Sequence, residues 1–209
     1  MDYAFRAHED YRLPKWSDQP NYVEVWLEKF ALASTFQKWL EDFNVVIVPS
    51  RGYSSWTFLW QAATRLANNV DKSLNILYFG DFDPSGQDIE RFLTEALLSF
   101  DLNVNVQRVA VTRDQIDAYG LPSTPESASE IEKLKRDPRF KTWNHGLFRV
   151  ELDALLAIVP GEFERIAKEG VARLFDASIY EEVLAEQAEK REIIKERIQA
   201  LLKARLLGS

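Results

Sequence analysis

Two aspartates one residue apart, Asp81 and Asp83, stand in the stretch LNILYFGDFDPSG that spans Leu74 to Gly86. Carboxylates at positions i and i+2 of an extended turn can both reach one point. Two such oxygens suit Mg2+, a hard cation that takes one or two carboxylates and keeps its other positions for water and phosphate. The run Ile76-Leu77-Tyr78-Phe79 has the length and composition of a buried strand. Ile89, Phe92, Leu93, Ala96, Leu97 and Phe100 then fall on one face of a helix. The pair therefore sits where a strand turns into a helix, the edge at which open α/β sheets bind ligands. The same residues also read as plain turn chemistry, with Asp83 or Ser85 capping the helix.

Other chemistry-bearing residues occupy equivalent places. Tyr22 to Glu28 alternates in polarity as a strand does and ends in Glu28-Lys29. Leu32, Phe36, Trp39 and Leu40 mark the helix after it. Val45 to Val48 is apolar throughout, as in the middle of a parallel sheet, and ends in Pro49-Ser50-Arg51-Gly52. Ser54 or Ser55 can cap the next helix, whose apolar face reads Trp56, Leu59, Trp60, Ala63 and Leu66. Val104 to Val111 is a fourth strand. Strands alternating with helices imply a parallel sheet with right-handed crossovers, so all strand ends point one way. Glu28, Arg51 and Asp81/Asp83 then converge on a single edge, with Lys29 and Arg51 placed to touch a phosphate.

Composition narrows the classes. The chain of 209 residues has no cysteine, which removes disulfides, thiolate metal sites and a cysteine nucleophile and fits a reducing cytoplasm. No apolar run approaches membrane-spanning length, and the N-terminus is unlike a signal peptide. With a net charge of −7, contact with nucleic acid must come from a local basic patch or a metal site. One such patch lies at 130–149: Lys133, Lys135, Arg136, Arg139, Lys141 and Arg149 against Glu130, Glu132 and Asp137. A charge run of this kind is usually a solvated face, and it could instead track a phosphate backbone. His8 and His145 are too far apart to read as a metal pair.

Residues 1–21 read as an arm or linker, 22–158 as the α/β domain and 159–209 as a helical C-terminal extension. Leu147 to Val150 is expected as a short strand. The extension carries an interrupted apolar stripe, which would pack back on the sheet or face a second copy in a homodimer.

A strand ending in Glu, followed two βα units later by a strand ending in Asp-x-Asp and a Gly, resembles the Toprim pattern of topoisomerases, primases and recombination-repair nucleases. The likeness is nearest to the topoisomerase VI A subunit and its meiotic double-strand-break relatives. It rests on Val25-Trp26-Leu27-Glu28-Lys29, Arg51-Gly52-Tyr53-Ser54-Ser55, Tyr78 to Gly86, and Val150-Glu151-Leu152-Asp153-Ala154-Leu155, and covers roughly residues 22–155. The resemblance implies a Rossmann-like parallel sheet of about four strands. It implies Mg2+, or Mn2+, held by Asp81 and Asp83, and Glu28 as a further ligand or as general acid/base. Glu151 is a candidate additional acidic member.

Topoisomerase VI cuts DNA with a tyrosine on an upstream winged-helix domain. About twenty residues precede the first strand here, too few for such a domain. The expectation is therefore a Mg2+-dependent nuclease or topoisomerase-like fragment acting on DNA, alone or with an upstream tyrosine domain or partner subunit. The alternative is a non-catalytic Toprim module that binds nucleic acid or a partner. A haloacid-dehalogenase-type phosphatase is disfavoured, because that family carries its D-x-D on the first strand and follows it with Gly-Thr.

Overall fold

The computed structural model describes residues 6–49, 55–124 and 127–207. It is an α/β structure around four parallel strands: β1 (Asn21–Leu27), β2 (Val46–Pro49), β3 (Ser73–Phe79) and β4 (Val104–Ala110). Their spatial order is β2-β1-β3-β4. Helices α1 (Ala33–Trp39), α2 (Trp56–Ala67) and α3 (Pro84–Leu98) make the crossovers. After β4 come α4 (Arg113–Tyr119), α5 (Ala128–Arg136), α6 (Asp153–Ile158), α7 (Pro160–Ala172) and α8 (Ala177–Leu207).

The two inner strands are the most apolar because helices cover both of their faces. Val23 to Leu27 and Leu74 to Phe79 are buried without interruption. On one face Trp26, Ile76 and Tyr78 meet Leu59, Ala63 and Leu66 of α2 and Ile89, Leu93 and Leu97 of α3. The alternate residues serve the other face, where Phe36 of α1 stacks edge-on against Phe79 at 4.8 Å and Phe163 of α7 at 5.4 Å. Glu24, fully buried on β1, is neutralised by Arg65 through two bonds of 3.0 Å. It also accepts from the Tyr22 hydroxyl and Trp26 Nε1.

Three apolar expectations turn out differently. The second strand, expected in the middle of the sheet, is its edge strand β2, with Val46 exposed and only Val48 buried. Trp56 and Trp60 are 70% and 63% exposed, because the buried stripe of α2 is centred on Leu59, Ala62, Ala63 and Leu66 and leaves both tryptophans at its rim. The expected strand at Leu147–Val150 is reduced to an isolated antiparallel bridge between Val150 and Phe82.

The compact unit built on the sheet runs from residue 21 to 174, past the expected border at 158. It takes in α7, whose Phe163, Ala167 and Val171 are fully buried. Residues 1–20 and 175–209 form the other unit. In it the arm holds α8 through Leu13 N–H donating to Gln187 at 2.9 Å, Arg191 Nε donating to the Tyr11 carbonyl at 3.0 Å, and Trp16 against Phe175. No helix among the described residues is long and apolar enough to cross a membrane.

If α7 is part of the sheet's core, Phe163→Ala should cost about 3–5 kcal/mol in urea unfolding. A loss below about 1 kcal/mol would make α7 a peripheral extension.

Candidate functional site

The chain leaves β1 towards β2 on one side, while β3 and β4 lie on the other. The ends of β1 and β3 therefore flank the point where strand order reverses, the crevice in which open α/β sheets bind ligands. Register carries both strand ends to the same level. Leu27 pairs with Phe79, and Glu28 N–H donates to the Phe79 carbonyl at 2.9 Å.

Glu28 is fixed from two directions. Its Oε2 accepts the Tyr78 hydroxyl at 2.8 Å and the Asp81 backbone N–H at 2.8 Å. Both groups pass over residue 80, where any Cβ would collide with the Tyr78 phenol and Glu28 Oε2, so glycine is required there. Glycine is needed again at position 86, where a Cβ would strike the Asp81 carbonyl oxygen.

The turn from Gly80 to Gly86 wraps around a guanidinium that the sequence reading passed over. Arg108 of β4 donates through NH1 to the carbonyls of Gly80, Asp81 and Val111 at 3.2, 3.2 and 3.3 Å. Its NH2 donates to the Gly86 carbonyl, and its charge lies 5.0 Å from the centre of the Tyr78 ring. An arginine near the end of an otherwise sheet-forming run, VNVQRVA, is the signal that could have marked it.

A strap from Val150 to Asp153 closes the other side. Phe82 and Val150 exchange backbone hydrogen bonds of 2.8 and 3.0 Å, and Leu152 N–H donates to Asp81 Oδ1 at 2.7 Å. Lys29 Nζ bolts the strap to the end of β1, lying 2.7 Å from Glu151, 2.8 Å from Asp153 and 3.9 Å from Asp81 Oδ1. Burial alone would lower the Lys29 pKa, but its hydrogen bonds to Asp153 and Glu151 and the charge of Asp81 outweigh that and raise it. This lysine is a fixed internal counter-ion, with its charge already matched by carboxylates.

Asp81 is pushed up from 3.8 to about 6, chiefly by burial, with the charges of Glu28 and Asp83 adding to it. The Leu152 N–H and Lys29 pull the other way without cancelling it. Asp83 performs the capping role: its Oδ1 accepts Gly86 N–H at 2.6 Å as N-cap of α3.

The structure thus brings Glu28, Lys29, Asp81 and Glu151 together at one strand edge and sets Asp83 at the adjoining helix start. Arg51 lies outside the described residues. No group of three His, Cys, Asp or Glu side chains among the described residues is arranged to hold a metal. As a donor set, partly buried Asp81 beside Glu28 suits a hard divalent cation that needs one or two carboxylates. It does not make a closed three-carboxylate cage. His145 lies 4.7 Å from Trp143 and 5.0 Å from Phe82 in an aromatic cluster.

No protein-family model and no curated protein matches this chain.

Asp81 yields a stability test. Folded, it keeps its proton up to about pH 6; unfolded, it releases it near 3.8. The folded state holds more protons in that window, so stability falls as pH rises through it. Asp81→Asn removes the charge and keeps an oxygen for Leu152 N–H. It should be more stable than wild type by about 1–3 kcal/mol at neutral pH, a gain that vanishes near pH 4. A variant less stable than wild type at neutral pH would contradict this assignment.

Proposed function

We propose that the chain is a Toprim-type protein acting on nucleic-acid phosphodiesters, DNA first among them, with a divalent cation at the β1/β3 edge. One observation carries the reading. A glutamate and a partly buried aspartate stand side by side at the switch point of a parallel sheet, and Glu28 accepts the backbone N–H of Asp81. The order and spacing of Glu28, Asp81, Asp83 and Gly86 along successive strand ends supports the same family.

In this reading Asp81 and Glu28 would hold the cation. Asp83, with Oδ1 given to the cap, has only its other oxygen to offer. Bound there, Mg2+ or Mn2+ supplies charge neutralisation for a phosphate in displacement. Glu28 has only one oxygen not used by Tyr78 or Asp81, so it would serve either as the cation's further ligand or as the group that holds or moves a proton. Lys29 keeps Glu151, Asp153 and the strap in place, and becomes a phosphate ligand only by leaving them. Water is the attacking oxygen when the chain acts alone, and a tyrosine supplied by a further domain replaces it in a topoisomerase-like assembly.

A second reading, a non-catalytic module that binds nucleic acid or a partner, is favoured by the use of Asp83 Oδ1 as a helix cap and by the matched charge of Lys29. Supercoiled plasmid with Mg2+ or Mn2+ separates the two. Nicking should fall by about 10²-fold or more in Asp81→Ala and Glu28→Ala. Asp83→Asn, which keeps a good N-cap, should fold normally and lose less activity. Nicking that survives Asp81→Ala rejects the site, and a wild type that binds cation without nicking assigns the second reading.

A further inference from the structure

The basic cluster at 130–149 remains outside this chemistry, yet the fold places it against the Asp81–Gly86 turn. Leu134 of α5 and Trp143 are 7% and 5% exposed, and the Trp143 ring lies 5.0 Å from Phe82, between the two aspartates. Arg139, in the 3-10 turn after α5, donates to Ser85 Oγ at 2.8 Å in the first turn of α3. Arg139 is also clasped by Asp137, which fixes its direction. The cluster is thus anchored on the motif itself.

The surface between them is concave. One hollow of about 250 Å3 is lined by Asp83, Ser85, Glu130, Lys133, Asp137 and Arg149. A second of about 550 Å3 is lined by Lys133, Arg136, Pro138 and Arg139. Asp137 lines the second as well, so the two hollows adjoin at Lys133 and Asp137 as one shallow groove beside the turn. Lys133, Arg136 and Arg139 of its lining are exposed, as are Lys135 on α5 and Lys141 on the 3-10 turn that carries Arg139.

Part of the cluster is paired as on any solvated face: Arg136 with Glu132 at 3.2 Å and Arg139 with Asp137 at 2.8 Å. No ion pair among the described residues engages Lys133, Lys135 or Lys141. Six cations stand against three carboxylates, in a chain whose net charge is −7. The excess positive charge of the three lysines, beside an acidic, cation-suited edge, fits a polyanion whose one phosphate reaches that edge.

We propose that the groove along α5 and the following 3-10 turn is the track for a nucleic-acid backbone, guiding one phosphodiester to Asp81 and Glu28. The proposal rests on the reading of the edge as a phosphodiester site. Lys133, Arg136 and Lys141 contact phosphates and carry affinity without base preference.

The test is fluorescence anisotropy of the full chain with a short labelled single-stranded oligonucleotide, in EDTA, over a NaCl series. Lys133→Ala/Arg136→Ala/Lys141→Ala should weaken binding about tenfold or more and flatten the log–log salt slope by about 2, three phosphate contacts at ~0.7 each. Lys38→Ala/Arg91→Ala/Arg165→Ala removes the same charge elsewhere and should leave both nearly unchanged. Equal loss in the two triples, no loss in the first, or no binding by wild type overturns the track. So does tighter binding of poly-glutamate through the same residues, which would assign the groove to an acidic protein. Oligonucleotide binding through the groove without plasmid nicking leaves the track standing and removes the catalytic reading. Nicking that the first triple leaves unaltered does the reverse.

Discussion

One hydrogen bond organises the edge of this sheet: the Asp81 backbone N–H donating to Glu28 Oε2 at 2.8 Å. It ties the end of β1 to the end of β3, strands separated by more than one crossover in the chain. Through the Tyr78 hydroxyl the same carboxylate is held from a second side, and Gly80 is the only residue that lets both partners through. A charged acceptor for a backbone N–H is a strong bond in a half-buried place. It leaves Glu28 with one oxygen for chemistry and a single orientation in which to use it.

Everything around that bond either supports the turn or offsets its charge. Arg108 satisfies three carbonyl oxygens of the turn and that of Val111 after β4. Phe82 and Val150 pin the strap to the outer side, and Lys29 neutralises the acidic residues that the strap brings with it. Burial works against this order at Asp81, which retains a raised pKa of about 6 in spite of its N–H donor and nearby lysine. Raised carboxylate pKa values of this kind gather at functional sites, and the proposed cation site draws on that together with the geometry of the edge.

The sheet was legible because burial leaves its mark on composition. Ile76 to Phe79 are too apolar for anything but an inner strand, and Leu93, Leu97 and Ile89 repeat at helical spacing. Val45 to Val48 reads the same way and is not in the middle of the sheet: β2 is its edge strand, with Val46 exposed and only Val48 buried. Parallel order followed from the alternation, and with it the meeting of Glu28 and Asp81. Other features depend on distant pairings that no local pattern encodes. Lys29 was placed on a phosphate because the residues that engage it, Glu151 and Asp153, return more than 120 positions later. Arg108 reads as one polar residue in a strand until the register sets it under the turn. Asp83 satisfied two readings at once, and the geometry of Gly86 N–H selects the cap for one of its oxygens. Trp56 and Trp60 carry the right apolar character for a core face and lie a fraction of a turn from it.

The central claim is that the β1/β3 edge holds a divalent cation between Asp81 and Glu28. Anomalous diffraction from crystals of the wild-type protein soaked in Mn2+ tests it most directly. The account predicts a peak within coordination distance of both carboxylates that disappears in Asp81→Asn. A peak elsewhere, or an empty edge with Glu28 still bonded to the Asp81 N–H, would contradict it.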